Sequence, residues 1–284
     1  MFNMFSPAKL NLSLEVNNIL DNGFHNLTSI MHTLDLHDEI SIRYSQKNKT
    51  IFKPPIVESN NNSILDAIQL FQQEFDINNQ FEIVTTKSIP TSSGLGGGSS
   101  NSSTTLKKLI EINKLEVGVS KLRELSFNLS SDSPFFVSGG CSLVEDQGQQ
   151  ITTGLGLNNL WAVIFIPLNI GITNKTKFMY SLLSNSHYTD GSITTQIFNS
   201  INKSNTNNIQ LLSNAVNTFE LVIDQVFLEY KYLKDKLLSL GVSFVRLSGS
   251  GPSFYTITEN LDQAINIANK MKRNNLRIIT TELL

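Results

Sequence analysis

Residues 89–103 read Ile-Pro-Thr-Ser-Ser-Gly-Leu-Gly-Gly-Gly-Ser-Ser-Asn-Ser-Ser, with glycines at 94, 96, 97 and 98. Without side chains, the backbone at Gly94, Gly96, Gly97 and Gly98 can enter left-handed conformations, approach a ligand closely and turn successive N–H groups onto an anion. Leu106, Leu109 and Ile110 then recur at helical spacing. A helix is therefore predicted to start over 99–102, where unpaired N–H groups and the helix dipole favour phosphate. The competing reading is a flexible Gly/Ser linker. Pro90 on one side and a periodic helix on the other frame the run more tightly than a linker would be, which favours a phosphate cradle.

Better-known phosphate loops are excluded letter by letter. No lysine follows the glycines as a P-loop requires, and Ser99 stands where a dinucleotide fingerprint needs its third glycine. No His-Arg-Asp or Asp-Phe-Gly triplet occurs, so the protein-kinase signature set is missing as well.

With 284 residues the chain can form one large or two ordinary domains. Two are expected, 1–155 and 156–284, divided near the glycine-bearing segment 148–156. Net charge is −2, and no basic cluster exceeds Lys107-Lys108 or the triplet Lys270, Lys272, Arg273, which argues against nucleic acid as a partner. The single cysteine, Cys141, can form neither an internal disulfide nor a multi-cysteine metal site. The N-terminal residues lack a charged region followed by an apolar core, and the longest apolar stretch, 161–166, is far too short to span a bilayer. A soluble, cytoplasmic protein without membrane contacts is the expectation.

Alternation from 8 to 16 places Ala8, Leu10, Leu12, Leu14 and Val16 on one face of a half-buried strand. Lys9, Asn11 and Ser13 then share the opposite face, where a lysine can be an ordinary solvated residue. Asp21-Asn22-Gly23 signals a turn before Phe24-His25, and a strand is predicted at 40–42. A helix is predicted over 63–75, with Ser63 as its cap and Ile64, Leu65, Ile68 and Phe71 on its apolar face. A strand at 81–85 precedes the glycine run. Beyond it come a helix over 120–129, a stop at Pro134 and an apolar strand at 135–137. Strands at 141–144 and 161–167 and a helix over 175–183 follow. An asparagine-rich loop is expected at 199–208, two helical patterns in 211–240, strands at 242–246 and 254–257, and a closing helix and strand. No internal repeat is evident, so the fold class is mixed α+β.

Three segments, Ser6-Pro-Ala-Lys-Leu-Asn-Leu, the run 90–103, and Leu247-Ser-Gly-Ser-Gly-Pro, occur in an order and spacing that resemble the GHMP kinase superfamily of small-molecule kinases. The resemblance spans essentially the whole chain. It implies a two-domain fold, the first domain like ribosomal protein S5 domain 2 and the second a ferredoxin-like α/β-plait. Asp21-Asn-Gly-Phe-His25 and Ser131-Asp-Ser-Pro-Phe-Phe136 further resemble those superfamily members whose acceptor is CDP-methylerythritol, an intermediate of non-mevalonate isoprenoid synthesis.

That resemblance implies roles residue by residue. Asp132 would be the general base for the acceptor hydroxyl, and Lys9, near it, would offset phosphoryl charge. Pro90, Ser93, Gly94, Leu95, Gly96, Gly97, Gly98, Ser99, Ser100 and Asn101 would hold ATP, with Asn62 and Lys87 beside the nucleotide. Asn11, Phe24, His25, Asp132, Thr173, Gly249 and Ser250 would face the acceptor, Phe24 stacking on cytosine and His25 reading its edge. Taken without the family, Asp132 is also a plain turn residue, and Gly249 and Gly251 a plain hairpin turn. Mg2+ is implied alongside ATP, with no ligands assigned, and a monomer or weak homodimer is expected. Phe24 replaces a usual tyrosine, and Ser130-Ser131 replaces a usual Gly-Ala. Kinases of homoserine, mevalonate or a sugar, and a non-catalytic nucleotide-binding protein, remain alternatives.

Overall fold

The computed structural model describes residues 1–55, 62–168, 174–204 and 209–284. Cα packing separates the chain into two compact units that are not successive along it. One comprises Met1–Ala8, Leu36–Thr91 and Gly96–Gly139; the other comprises Lys9–Asp35, Ser92–Leu95 and Gly140–Leu284. Strands β1 (Phe2–Ile19) and β2 (His25–Ser45) run through both, and so does the glycine run.

In the first unit, β3 (Lys49–Lys53) lies parallel to β4 (Gln80–Thr86), and β4 pairs antiparallel with residues 39–45 of β2. Helices α1 (Ser63–Phe75), α2 (Gly97–Ile112), α3 (Val119–Phe127) and α4 (Phe135–Ser138) accompany this sheet. Its core is Ile40, Ile42 and Ile83 from the strands, with Ile68, Phe71, Leu106, Leu109 and Leu125 from the helices. The cap of α1 is Asn62 rather than Ser63: the Asn62 side chain accepts from the Ile64 and Leu65 N–H groups. Leu65 turns outward, and Ala67 takes its expected place in the core. The apolar run after Pro134 is helical, not a strand. Pro134 already has helical dihedrals, which its ring favours at a helix start, and Gly139 ends the turn at φ 65°. A short apolar run does not distinguish the two structures by periodicity.

In the second unit, residues 27–32 of β2 pair with β5 (Cys141–Asp146), and β5 pairs with β6 (Gln150–Gly154). Part of the segment expected to be a turn region is therefore a sheet strand. A separate antiparallel sheet has the order β10-β7-β9-β8, from β7 (Trp161–Pro167), β8 (Arg246–Leu247), β9 (Phe254–Thr258) and β10 (Leu276–Glu282). Of the strand predicted at 242–246 only Arg246 lies in β8, which ends at Leu247. Helices α5 (Lys175–Ser181), α6 (Ser192–Ser204), α7 (Tyr230–Ser239) and α8 (Leu261–Lys270) complete the unit. Leu14 and Val16 of β1 enter its core beside Val163, Phe165, Phe219, Leu233 and Phe254. The expected loop at 199–208 is instead helical up to Ser204, and 205–208 lie outside the described residues.

Strand β1 departs most from expectation. Lys9, Asn11, Ser13 and Glu15 are at most 2% exposed, as buried as the leucines between them. Lys9 is no solvated strand residue.

Candidate active site

The sequence-predicted residues form two groups, one inside each unit. In the first unit, α2 starts at Gly97, two residues before the predicted position. Its N-cap, Gly96, sits at φ 73°, a left-handed conformation that glycine adopts without strain. Among the described residues no side chain caps this helix start, an arrangement suited to an anion. Asp38, fully buried, holds the approach to the loop. Its carboxylate accepts from the Lys87 ammonium, the Ser88 and Ile89 N–H groups at 2.8 and 2.9 Å, and Asn101 Nδ2 at 3.0 Å. Lys87 and Asn101, both assigned to the nucleotide, are thus tied to one carboxylate. Asn62 also donates to Thr50 Oγ1 at 2.7 Å, so both ends of its amide are engaged within the fold.

Asp132 is half-buried in the turn between α3 and α4. Serine hydroxyls link that turn to the start of α2. Ser130 Oγ donates to Ser99 Oγ at 2.8 Å and lies 2.7 Å from Ser133 Oγ, while Ser133 Oγ donates to the Ser99 carbonyl at 3.3 Å. Ser100 Oγ accepts from Ser6 Oγ at 2.7 Å. Ser130, one of the serines that depart from the family pattern, and Ser133 therefore brace the acidic turn against the start of α2.

In the second unit, Lys9 donates through its ammonium to Asn11 Oδ1, and Asn11 Nδ2 donates to Ser29 Oγ at 2.8 Å. The Lys9 N–H donates to the Leu95 carbonyl at 3.0 Å, fixing the arm Ser92–Leu95 of the glycine run. Gly94 is at φ 84°, and a Cβ there would lie 2.9 Å from the Gly251 carbonyl oxygen and nearer still to that of Ser248. Ser248 Oγ donates to the Gly94 carbonyl at 3.0 Å, so the arm and the turn 248–251 are locked together. A Cβ on Gly249 would lie 3.5 Å from both Lys9 Nζ and Asn11 Oδ1. The structure thus brings Lys9, Asn11, Gly94, Leu95, Gly249 and Ser250 together.

Phe24 and His25 follow the turn at Gly23. Phe24 is 59% exposed, a free stacking face, whereas His25 is half-buried. The His25 ring stacks on Tyr180 at 4.6 Å, and its Nε2 lies 3.1 Å from the Tyr188 hydroxyl. Burial lowers the His25 pKa, which favours the neutral ring at pH 7. Thr173 lies outside the described residues. Sequence reasoning missed Asp38, Tyr180 and Tyr188, which hold the predicted residues. Their neighbours are remote in sequence, and no local pattern marks them. Cys141 is buried, and burial pushes its thiol up to about 12, which leaves it no nucleophile. Among the described residues no three histidine, cysteine or carboxylate side chains group to hold a metal, and no helix is long and apolar enough to cross a membrane.

This glycine loop opening a helix, inside a mixed fold with a second antiparallel sheet, defines a class of small-molecule kinase. Residues 62–140 match the family profile described as GHMP kinases N terminal domain, and residues 200–277 match that described as GHMP kinases C terminal. The chain belongs to the GHMP kinase family. It is 30% identical to the 4-diphosphocytidyl-2-C-methyl-D-erythritol kinase of Dehalococcoides mccartyi over 93% of this chain and 92% of that one. A crystal structure of 4-(cytidine 5'-diphospho)-2C-methyl-D-erythritol kinase superposes with a TM-score of 0.80 at 25% identity, covering 99% of each chain. Homoserine kinase from Cytophaga hutchinsonii shares the fold at a TM-score of 0.75 and 18% identity, covering 99% of this chain and 94% of its own.

Proposed function

We propose that this chain is an ATP-dependent kinase that phosphorylates the 2-hydroxyl of 4-diphosphocytidyl-2-C-methyl-D-erythritol, a step of non-mevalonate isoprenoid synthesis. The observation that carries this reading is the identity over nearly the whole chain to a relative named for that acceptor. Asp132 accepts the hydroxyl proton as the acceptor oxygen attacks the γ-phosphorus. The bond to the bridging oxygen of ADP breaks in line, with no phosphoenzyme. Lys9, held in place by Asn11, offsets charge on the phosphoryl oxygens. Residues 90–101 other than Thr91 and Ser92, with Asn62 and Lys87, serve the nucleotide. Phe24, His25, Thr173, Gly249 and Ser250 serve the acceptor, Phe24 stacking on cytosine and His25 reading its edge as a neutral ring.

A magnesium ion carried on nucleotide phosphates needs only one or two hard oxygen ligands from protein; the Ser99 hydroxyl would be one, and the ion would neutralise phosphate charge. The segment 1–155 brings the nucleotide loop and 156–284 the turn 248–251. We place the enzyme in the cytoplasm as a monomer or weak homodimer.

The test is ADP release by the purified, folded protein with this acceptor, homoserine or mevalonate. Turnover with the cytidine-bearing acceptor alone is expected. The Asp132→Asn variant is expected to lose about 10² to 10⁴ in kcat while ATP binding stays within a few-fold. No turnover with that acceptor, or a preference for another, removes the assignment, and a fully active Asp132→Asn variant removes the base.

A further inference from the structure

Lys175, the first residue of α5, belongs to the same unit as Lys9 and is only half-buried. Among the described residues its side chain has one hydrogen-bond partner, the Ser92 carbonyl oxygen at 3.5 Å, at the outer limit for such a bond. Among the described residues no carboxylate pairs with it, and the charge that bears on it is the like charge of Lys9.

The two lysines border one short stretch of backbone. Lys175 reaches the arm Ser92–Leu95 at Ser92, and the Lys9 N–H holds the same arm at Leu95. The next residue, Thr176, has its hydroxyl 3.3 Å from that of Ser250. Ser250 follows Gly249, the residue over which Lys9 Nζ lies. Arm and turn are closed on each other by the bond from Ser248 Oγ to the Gly94 carbonyl. Two ammonium groups therefore reach the same arm–turn junction, one with Asn11 beside it and one with no counter-charge among the described residues.

Gathering like charges while removing one of them from water raises the free energy of the ligand-free protein. The same arrangement becomes favourable when an anion touches both groups. We infer that Lys175 is a second phosphate-binding cation of this kinase, contacting phosphate oxygens together with Lys9. The phosphate can be the transferring γ-group, the rest of the ATP chain, or the acceptor's diphosphate; all three present the same anionic oxygens. Lysine suits the place because a compact ammonium on a flexible stem can follow a phosphoryl group as it moves. Burial first, and then repulsion from Lys9, pull the Lys175 ammonium down to about 7, so it gains a full charge only when an anion arrives. The inference rests on the kinase reading for its reaction, but not for its anion.

The experiment compares wild type with Lys175→Met, which keeps the apolar stem, and Lys175→Arg, which keeps the charge. In steady-state assays Lys175→Met is expected to lose about 10- to 100-fold, and Lys175→Arg to recover most of it. A loss in kcat alone assigns the transferring group, a rise in the KM for ATP its phosphate chain, and a rise in the acceptor KM the diphosphate. Titration calorimetry with inorganic pyrophosphate needs no acceptor and no turnover. There Lys175→Met is expected to bind about tenfold more weakly than wild type, even if the acceptor assignment fails. Unfolding midpoints guard against a folding defect, since removing an ammonium that burial and Lys9 disfavour should leave the methionine variant at least as stable. The inference is overturned if the methionine variant keeps kcat, both KM values and pyrophosphate affinity within twofold, or if arginine restores nothing.

Discussion

Lys175 also makes stability depend on pH in a direction that can be worked out. In the unfolded chain its ammonium titrates near the ordinary lysine value of about 10.4; in the folded protein it titrates at about 7, depressed by burial first and then by Lys9. Between those values the unfolded chain binds more protons than the folded one, so this residue makes stability rise as pH rises through 7 toward 10. Below pH 7 both states carry the proton, and the folded protein bears the whole penalty of the desolvated charge. Lys175→Met should therefore exceed wild type in stability most clearly at pH 6, with the gap closing by pH 9.5. Urea midpoints at the two pH values check this, and a gap that stays constant or widens with pH would show that Lys175 does not titrate in that window.

Glycine 94 belongs to a rigid turn-on-turn arrangement, and its replacement tests that arrangement as a whole. Its φ of 84° is strained for any L side chain, and a Cβ would strike the backbone carbonyls of Ser248 and Gly251, which cannot rotate away as a side chain can. Gly94→Ala should destabilise the protein by about 1–3 kcal/mol and weaken ATP binding in the same variant. Unaltered stability would mean that the arm and the turn 248–251 are not locked. The glycine pattern made this loop legible: Gly94 and Gly96 are left-handed and a Cβ on Gly97 would press on Ile89, although Gly98, already helical, has room for one. The following helix was legible from its 3.6-residue period, down to Leu106, Leu109 and Ile110 in the core. The environment of β1 was not. Alternation shows which residues share a face, but it does not reveal that both faces are covered; Lys9, Asn11 and Glu15 become buried only because residues more than a hundred positions away, such as Thr194 and Tyr255, bond to this strand. The Asp38 and His25 clusters were hidden for the same reason, being assembled from partners 49 to 163 residues distant.

A chain threaded through its two compact units need not come apart at the boundary expected between 155 and 156. All residues of the first unit lie within 1–139. The second unit also draws on residues 9–35, and a fragment beginning at residue 156 lacks them. Leu14 and Val16 would vanish from its core, a loss of about 3–6 kcal/mol at the usual 1.5–3 for a buried aliphatic side chain. The Tyr255 hydroxyl, fully buried, would lose its acceptor on Asn11, and the Val216 carbonyl would lose the Leu14 N–H that now donates to it at 2.7 Å. Each orphaned group adds about 1–3 kcal/mol. Against a net stability of about 5–15 kcal/mol for a whole domain, these losses leave little or nothing. The fragment 156–284 is thus expected to lose circular dichroism gradually in urea, without a sigmoid. The fragment 1–155, which keeps the Ile40, Phe71 and Leu106 core intact, is expected to retain a cooperative step. A sharp transition with native-like helix content in 156–284 would show that β1 contributes far less to the second unit than its bonds and burial imply.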